Sequence, residues 1–300
     1  MNAVKTVFLL VLLSAIFLAI GWAVGGVFGL VIAFVLALGM NFFSYWFSDK
    51  LALKMTGSRE VTPHQEPHLH RIVDEVSAMA GMPKPKVYII QNDAPNAFAT
   101  GRNAKHAAIA ATTGIMSILD DRELTAVLGH ELGHIRNRDI LVGAIVATIA
   151  TAIMFLAMIG RFSLFFRMFG GRGGYGGIVQ IGALLAMIIL APMAAMMIRM
   201  AVSRQREYGA DETGAQITHT PLALASALEK LDTYSRARPM NVNPAVSHLF
   251  IVNPFGSKQK REGGDMLSGF FGSNTFSTHP PVKKRVERLN EIARKMGSYA

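Results

Sequence analysis

The residues His130, Glu131 and His134 form the pattern in this chain that is best suited to chemistry. Residues four apart on an α-helix lie on the same face, one turn apart, so both imidazoles can point at one metal ion. Zinc suits this pair because it accepts neutral imidazole in tetrahedral sites. Glu131 can take a proton from a water molecule that zinc has acidified. The spacing therefore predicts metal-assisted hydrolysis, although an amphipathic helix that happens to hold two histidines has the same pattern.

The residues before this motif predict the helix that must carry it. Residues 119–129 begin with acidic residues and continue with apolar residues at helical spacing, as a helix N-terminus does. Gly133 is a poor helix former, costing about 1 kcal/mol relative to alanine. We expect its small size to leave room for close packing or for the metal.

A catalytic zinc needs a third protein ligand and one open position. Glu207 is the best candidate ligand, and Asp211 follows it by one helical turn. Asp211 would accept the spare N–H of a ligating histidine and so fix its tautomer. Taken alone this pair is a weak signal, because an exposed helix face beside Arg204 and Arg206 explains it equally well.

Four long uncharged segments dominate the composition, which is 51% hydrophobic. Residues 6–48, 140–160 and 173–198 carry no Asp, Glu, Lys or Arg, and the first run is long enough for two spans. A helix needs about 20 apolar residues to cross a bilayer. We therefore predict about four transmembrane helices, in an N-terminal hairpin at 1–50 and a second hairpin at 140–199.

The net charge of +10 is explained by basic residues next to the apolar segments. The positive-inside rule places these residues, and the metal site with them, on the cytoplasmic side. Arg161, Arg167 and Arg172 oppose this topology, because two complete hairpins put them outside. A shallow or re-entrant second hairpin is the alternative. The absence of cysteine fits a cytoplasmic domain and excludes structural disulfides.

The remaining segments, 51–139 and 200–300, predict a mainly helical peptidase domain with a small β-sheet. Short strands are expected at Lys86–Ile90, at 96–101 and at 107–113. An edge strand can bind an extended peptide through backbone hydrogen bonds. A purely structural hairpin explains the same residues equally well.

The C-terminal part predicts two helices separated by a loop. The helices span 221–236 and the segment that begins at Pro280, and the loop is 238–277. The loop composition suits a lid, a lipid-surface contact or a solvated connection. One face of the last helix is apolar and is expected to pack on the core; its residues are Val282, Val286, Leu289, Ala293 and Met296.

Together the motifs resemble the HtpX-type membrane metalloproteases, which are relatives of the CAAX prenyl proteases. The resemblance extends over essentially the whole chain. The motifs that carry it are Asn96-Ala97-Phe98-Ala99-Thr100-Gly101, Ala126 to Ile135, Arg206-Glu207-Tyr208-Gly209-Ala210-Asp211, Ile251-Val252-Asn253-Pro254-Phe255, and Thr278-His279-Pro280-Pro281 with Arg285.

This resemblance implies a gluzincin-like fold with one Zn²⁺ per chain, bound by His130, His134 and Glu207. It implies that Glu131 is the general base and suggests Asp211 as the residue that supports a ligand. It also suggests that His279 and Arg285 stabilise the developing oxyanion and that Asn96 lies by the substrate-binding strand.

The resemblance further implies a multi-pass protein of the bacterial inner membrane that degrades misfolded membrane proteins under stress. The expected partners are polypeptide substrates, the lipid bilayer and, as candidates, other quality-control proteases. One alternative function stays open. A non-catalytic membrane scaffold with structural zinc has no need for Glu131. Binding of nucleic acid is not expected, because the chain lacks a recognised nucleic-acid fold and aromatic–basic interleaving.

Overall fold

The computed structural model describes residues 27–28, 31, 34–35, 39, 42, 46–47, 49–139, 204–240, 242, 249–254 and 280–297. The chain divides into two compact units, residues 1–45 with 142–202 and residues 46–141 with 203–300. The elements below belong to the second unit. Among the described residues, no helix combines the length and hydropathy needed to cross a membrane. The four predicted spans and the loop 238–277 lie largely outside these residues.

A four-stranded mixed sheet forms one layer of this unit. Its strands are β1 (Arg59–Glu60), β2 (Lys86–Ile90), β3 (Ala97–Gly101) and β4 (Ala107–Thr112), in the spatial order β1-β2-β4-β3. The β2 and β4 strands are parallel, and the other two pairs are antiparallel. β3 is therefore an edge strand, as the substrate-binding hypothesis requires.

Seven helices accompany the sheet within the described residues. They are α1 (49–55), α2 (Pro67–Ala80), α3 (Thr113–Ile118), α4 (Asp121–Arg136), α5 (204–218), α6 (Pro221–Ala237) and α7 (Val282–Met296). α4 packs against α2, α6 and β3, and α6 packs against α7. The helix that carries the two histidines is thus central, which fixes its position relative to the edge strand.

Local sequence explains where α4 begins. The Asp120 side chain accepts the backbone N–H of Glu123 at 2.9 Å, and the Glu123 carboxylate accepts the backbone N–H of Asp120 at 3.1 Å. This reciprocal capping box satisfies two backbone donors that a helix start otherwise leaves open. Ser226 and Lys230 of α6 also donate to Glu123, so the same carboxylate ties α6 to the start of α4.

The sheet is covered on both faces. Alternate β-strand residues such as Ala99 and Ile109 contact the helices in the larger core, whereas Phe98 and Ala110 face a smaller core. Phe250 completes the smaller core and meets Phe98 edge to face, with ring centroids 5.3 Å apart. Side chains alternate across a strand, so one short strand supports both layers.

The structure confirms the three predicted strands and the helix at 221–236. The predicted apolar face of α7 is buried or half-buried, and the charged residue Arg285 is buried on the same helix. The short strand β1 and the helix α3 were not predicted. Two-residue and six-residue elements carry too few periodic positions to stand out.

Candidate metal centre

Three side chains from α4 and α5 converge at one point. The Nε2 atoms of His130 and His134 lie 3.1 Å apart, and their rings are nearly perpendicular at 85°. A Glu207 oxygen lies 3.8 Å from His130 Nε2 and the other lies 3.5 Å from His134 Nε2. All three side chains are mostly or wholly buried, with exposed fractions of 0%, 15% and 7%.

Close packing of the two helices brings these ligands together. A Cβ atom on Gly133 would lie 3.0 Å from the Ala210 carbonyl oxygen, and one on Gly214 would lie 2.7 Å from the backbone of His130. Neither position has room for a larger side chain. Of the two explanations for Gly133, the structure supports helix packing.

The donor set fits a zinc ion. Two nitrogens bound to one tetrahedral zinc at 2.0–2.1 Å are about 3.3 Å apart, close to the observed separation of 3.1 Å. The candidate ligand atoms of His130, His134 and Glu207 all lie within 4.8 Å of one another. Three protein ligands of this kind are typical of catalytic zinc, which keeps a fourth position open.

Asp211 lies behind His130, in the place predicted for it. Its carboxylate is 3.0 Å from His130 Nδ1 and is only 2% exposed. Two nitrogens of the buried Arg285 guanidinium donate to the same carboxylate, at 2.9 and 2.6 Å. Burial opposes ionisation of Asp211, but the positive charge of Arg285 and the hydrogen bonds from His130 and Arg285 together lower the pKa of this carboxyl. An ionised Asp211 can accept the Nδ1–H of His130.

Asp139 is a residue that the sequence reasoning missed. Its Oδ2 lies 3.0 Å from Nδ1 of His134, so the second histidine also has a carboxylate behind it. Burial lowers the pKa of His134, but the hydrogen bond to Asp139 and the negative charges of Glu207, Glu131 and Asp139 together raise it.

A turn after α4 puts Asp139 in this position. Arg138 has φ +57°, a left-handed conformation that is uncommon outside glycine, and it reverses the chain toward the helix. Arg206 holds the turn by donating to the Asp139 carbonyl oxygen at 2.6 Å. The signal in the sequence is an acidic residue five positions after the second histidine, at the helix end.

Glu131 is buried beside the ligands, with 1% of its surface exposed. Its Oε1 atom has no hydrogen-bond partner within the described residues. Burial raises the pKa of Glu131, while the charges of His130 and His134 oppose the rise and the backbone N–H of Ala99 in β3 stabilises the carboxylate. Buried polar atoms are rarely unpaired, so this oxygen is suited to a ligand or water molecule.

Asn96 and Arg285 fasten the segment 249–254 to the centre. The Asn96 amide donates to the Val252 carbonyl at 3.0 Å, and Ile251 N–H donates to the Ala97 carbonyl at 3.1 Å. Arg285 donates to the Ile251 carbonyl at 3.1 Å and lies 3.4 Å from a Glu207 oxygen. Both side chains are 1% exposed, so these contacts place Arg285 behind the ligands and Asn96 under the segment.

The structure thus brings seven of the eight sequence-predicted site residues into one unit. Three of them are the converging ligands, three lie beside or behind these ligands (Glu131, Asp211 and Arg285), and Asn96 is linked to them through the segment 249–254. The eighth residue, His279, lies outside the described residues, and its role stays a prediction.

Comparisons with known proteins agree with this geometry. Residues 63–293 match peptidase family M48. The chain is 48% identical over 288 residues to the protease HtpX homologue of Desulfatibacillum aliphaticivorans, covering 96% of this chain and 89% of that one. It is 48% identical over 302 residues to the homologue of Persephonella marina, covering 99% and 100%. The homologue of Pyrococcus furiosus is 49% identical over 262 residues, covering 87% and 86%.

The crystal structure of S. mikatae Ste24p has a similar fold, with a TM-score of 0.56 at 21% identity. The match covers 94% of this chain and 62% of that one, so the chain spans less than two thirds of that protein. The buried cluster of two histidines and a glutamate is compatible with one zinc ion, and the relatives are proteases. The chain therefore belongs to peptidase family M48 and is a metallopeptidase.

Proposed function

We propose that this chain is a membrane-bound zinc endopeptidase that cleaves misfolded or damaged membrane proteins at the cytoplasmic face of the bacterial inner membrane. The observation that supports hydrolysis is the buried convergence of His130, His134 and Glu207 beside a Glu131 oxygen that has no partner among the residues the structure describes. A structural zinc site needs no such carboxylate, so this arrangement favours an enzyme over a scaffold.

In this proposal His130, His134 and Glu207 hold the zinc ion. Zinc bound there would polarise a carbonyl group and lower the pKa of a water molecule toward neutrality. Glu131 accepts the proton of the attacking water and passes it to the leaving nitrogen. Burial raises the pKa of Glu131, which strengthens this carboxylate as a base.

Asp211 and Asp139 orient the two histidines from behind. Each carboxylate accepts the Nδ1–H of its histidine, which leaves Nε2 as the lone-pair atom that faces the metal. Arg285 stabilises the charge of Asp211 and lies close to Glu207. We assign it a supporting role behind the ligands in place of direct contact with substrate.

The edge strand β3 is the proposed seat of the substrate. The Asn96 carbonyl accepts the backbone N–H of Thr112 in β4. Because backbone groups alternate in direction along an antiparallel strand, the N–H and C=O groups of Ala97 and Ala99 face away from β4, toward the free side of β3. The Ala97 carbonyl accepts the backbone N–H of Ile251, whereas the backbone N–H of Ala99 donates to the Glu131 carboxylate. An extended polypeptide pairing there is bound through its backbone, without regard to its sequence.

The membrane location is supported by the uncharged segments and by exposed apolar side chains. At the described positions between residues 27 and 42 the large apolar side chains are 49–75% exposed. Exposure of this much apolar surface to water is unfavourable and is typical of a membrane or protein contact. The four described residues of this kind with the largest exposure are Val27, Phe28, Val35 and Phe42. The two-hairpin arrangement and the role in stress remain proposals that rest on the sequence pattern and on the family resemblance.

The variant Glu131→Gln tests the mechanism. Loss of a positioned general base lowers the rate by about 10²–10⁴-fold. We expect the purified protein in detergent to lose cleavage of an unfolded membrane protein to this extent while its zinc content stays equal to that of the wild type.

The matched control is Glu212→Gln, an exposed glutamate on α5 next to Asp211. It should retain both zinc and cleavage. Equal cleavage by the Glu131→Gln and wild-type proteins would contradict the assigned mechanism.

A further inference from the structure

A basic and aromatic surface lies at the tip of the β3–β4 hairpin, away from the metal ligands. Three apolar side chains close together in the sequence are exposed, Trp46 at 42%, Phe47 at 39% and Leu51 at 46%. The Arg102 guanidinium, in the hairpin tip, stacks on Trp46 at 4.3 Å from the ring centroid. We call this surface the Trp46 face and define it by Trp46, Phe47, Lys50, Leu51, Arg102 and Lys105.

The charge of the Trp46 face is positive. Lys50 lies 5.8 Å from the centre of the Phe47 ring, and Lys105 is exposed in the hairpin tip beyond Arg102. Within the part of the chain that the structure describes, no carboxylate forms an ion pair with any of these three cations. Asp49, in the same stretch, is half-buried and accepts the backbone N–H of Lys50 at 2.7 Å. An apolar surface that carries three exposed or half-exposed basic groups is complementary to anionic lipid headgroups.

The position of Trp46 in the sequence favours lipid over another protein. Trp46 and Phe47 stand at the end of the uncharged run 6–48, and Lys50 follows at once. Aromatic rings followed by lysine or arginine are typical of the boundary between the hydrocarbon and the headgroups. Arg102 is stacked on the ring at this boundary, which brings the hairpin tip to the same level.

We propose that the Trp46 face sits on the anionic headgroups of the bilayer and holds the edge strand β3 at the membrane surface. The proposal rests on the membrane location proposed above. Arg102 directly follows β3, and Ala99 is three residues earlier, about 10 Å along an extended strand. A polypeptide leaving the bilayer would therefore reach the edge strand and Glu131 almost immediately.

Gly101 and Asn103 fix the conformation of the turn between β3 and β4. Gly101 has φ +132°, and a Cβ there would lie 2.3 Å from the His106 carbonyl oxygen, so only glycine fits the turn. Asn103 accepts the backbone N–H of His106 at 3.1 Å and closes the short helix that carries Lys105. The cations are thus presented by a rigid turn and not by a flexible loop.

The chain contains no cysteine, so single cysteines report on the surface directly. The full-length protein is placed in nanodiscs that contain phosphatidylglycerol and a lipid with a nitroxide on its headgroup. A fluorophore is attached through Lys105→Cys or, as the matched control, through Gln91→Cys. Gln91 is exposed and directly follows β2. It lies at the end of the sheet opposite the hairpin tip, because Ile90 pairs with Thr112 at the far end of β4, whereas Gly101 pairs with Ala107 at the tip.

We expect strong quenching at position 105 and little at position 91. The added substitution Arg102→Glu should reduce quenching at 105, since it puts a negative charge against the anionic surface, and hydrolysis of a soluble peptide should stay unchanged. Higher salt should also reduce the quenching.

Equal quenching at both positions, in protein that co-elutes with the nanodiscs, would overturn this proposal and leave the membrane location intact. Protein that does not co-elute with nanodiscs would overturn both. Loss of soluble-peptide hydrolysis by Glu131→Gln, measured separately, bears only on the catalytic mechanism.

Discussion

Two histidine–aspartate pairs of similar geometry occupy opposite environments in this protein. His68 and Asp121, on the outer surface of α2 and α4, are 2.7 Å apart, with 42% and 57% of their side chains exposed. His130 and Asp211, between α4 and α5, are 3.0 Å apart, with 0% and 2% exposed. The chemistry of the contact is the same, so the surrounding solvent decides what each pair does.

Water screens the outer pair and makes each partner replaceable. Arg71 also donates to Asp121, and all three groups can exchange these contacts for hydrogen bonds to water. In the buried pair no such exchange is available. Asp211, Arg285 and His130 depend on one another, because removing one partner leaves a charge or donor inside the protein without compensation.

The largest expected effect follows removal of the buried carboxylate. Asp211→Ala leaves the Arg285 guanidinium buried without its main counter-ion, and breaking a buried pair in this way costs about 3–5 kcal/mol. We expect the free energy of unfolding, measured by denaturant titration in detergent, to fall by this amount.

The double variant Asp211→Ala with Arg285→Met is the control for that loss. Methionine fills part of the space without charge, so part of the stability should return. A loss equal to the sum of the two single variants would show that the buried pair is not coupled, and the comparison with His68 and Asp121 would fail.

An intermediate effect is expected at the second ligand. Asp139→Asn keeps the size of the side chain but weakens the acceptor behind His134, and loss of such a partner lowers metal affinity by about 10–100-fold. Competition with a zinc chelator measures this affinity without reliance on activity. Far-ultraviolet circular dichroism should show an unchanged helix content, and an unchanged zinc affinity would assign Asp139 to the turn alone.

The smallest effect is expected at the outer pair. Hydrogen bonds from Arg71 and His68 lower the pKa of Asp121. A lowered folded-state pKa contributes stability above the unfolded value, near 3.9, and this contribution is lost as the pH falls through the folded value. Asp121→Asn should therefore melt close to the wild type at pH 7, with any difference vanishing in acid. A large difference at pH 7 would remove the contrast with Asp211.

Local features of the fold and site were predictable because they depend on near neighbours. The capping pattern around Asp120 and the spacing of His130 and His134 specify the start of α4 and its metal-binding face. Asp139 was missed because its position depends on the left-handed turn at Arg138 and on Arg206, 67 residues away. No periodic pattern encodes such a turn.

Long-range partners account for the other differences. The resemblance suggested that Arg285 stabilises the oxyanion, whereas the structure gives its hydrogen bonds to Asp211 and Ile251. Asn96 directly precedes β3, as the resemblance suggested, and its side chain bonds to Val252. His70, near the start of α2, is buried and hydrogen-bonded to the Val61 carbonyl at 2.9 Å. A polar residue type does not reveal whether its partner is water or a distant backbone group.

The sequence by itself determined the motif on α4, the candidate third ligand and the uncharged segments that suggest a membrane. These follow from helical periodicity and from the length of apolar runs, which are local properties. Only the tertiary structure decided which carboxylate stands behind which histidine and that Arg285 is buried with Asp211. The pairings of Asp211 with His130 and Arg285 join residues far apart in the chain, and that of Asp139 with His134 depends on a turn held by Arg206. Burial, which only the folded chain creates, sets the strength of all of them.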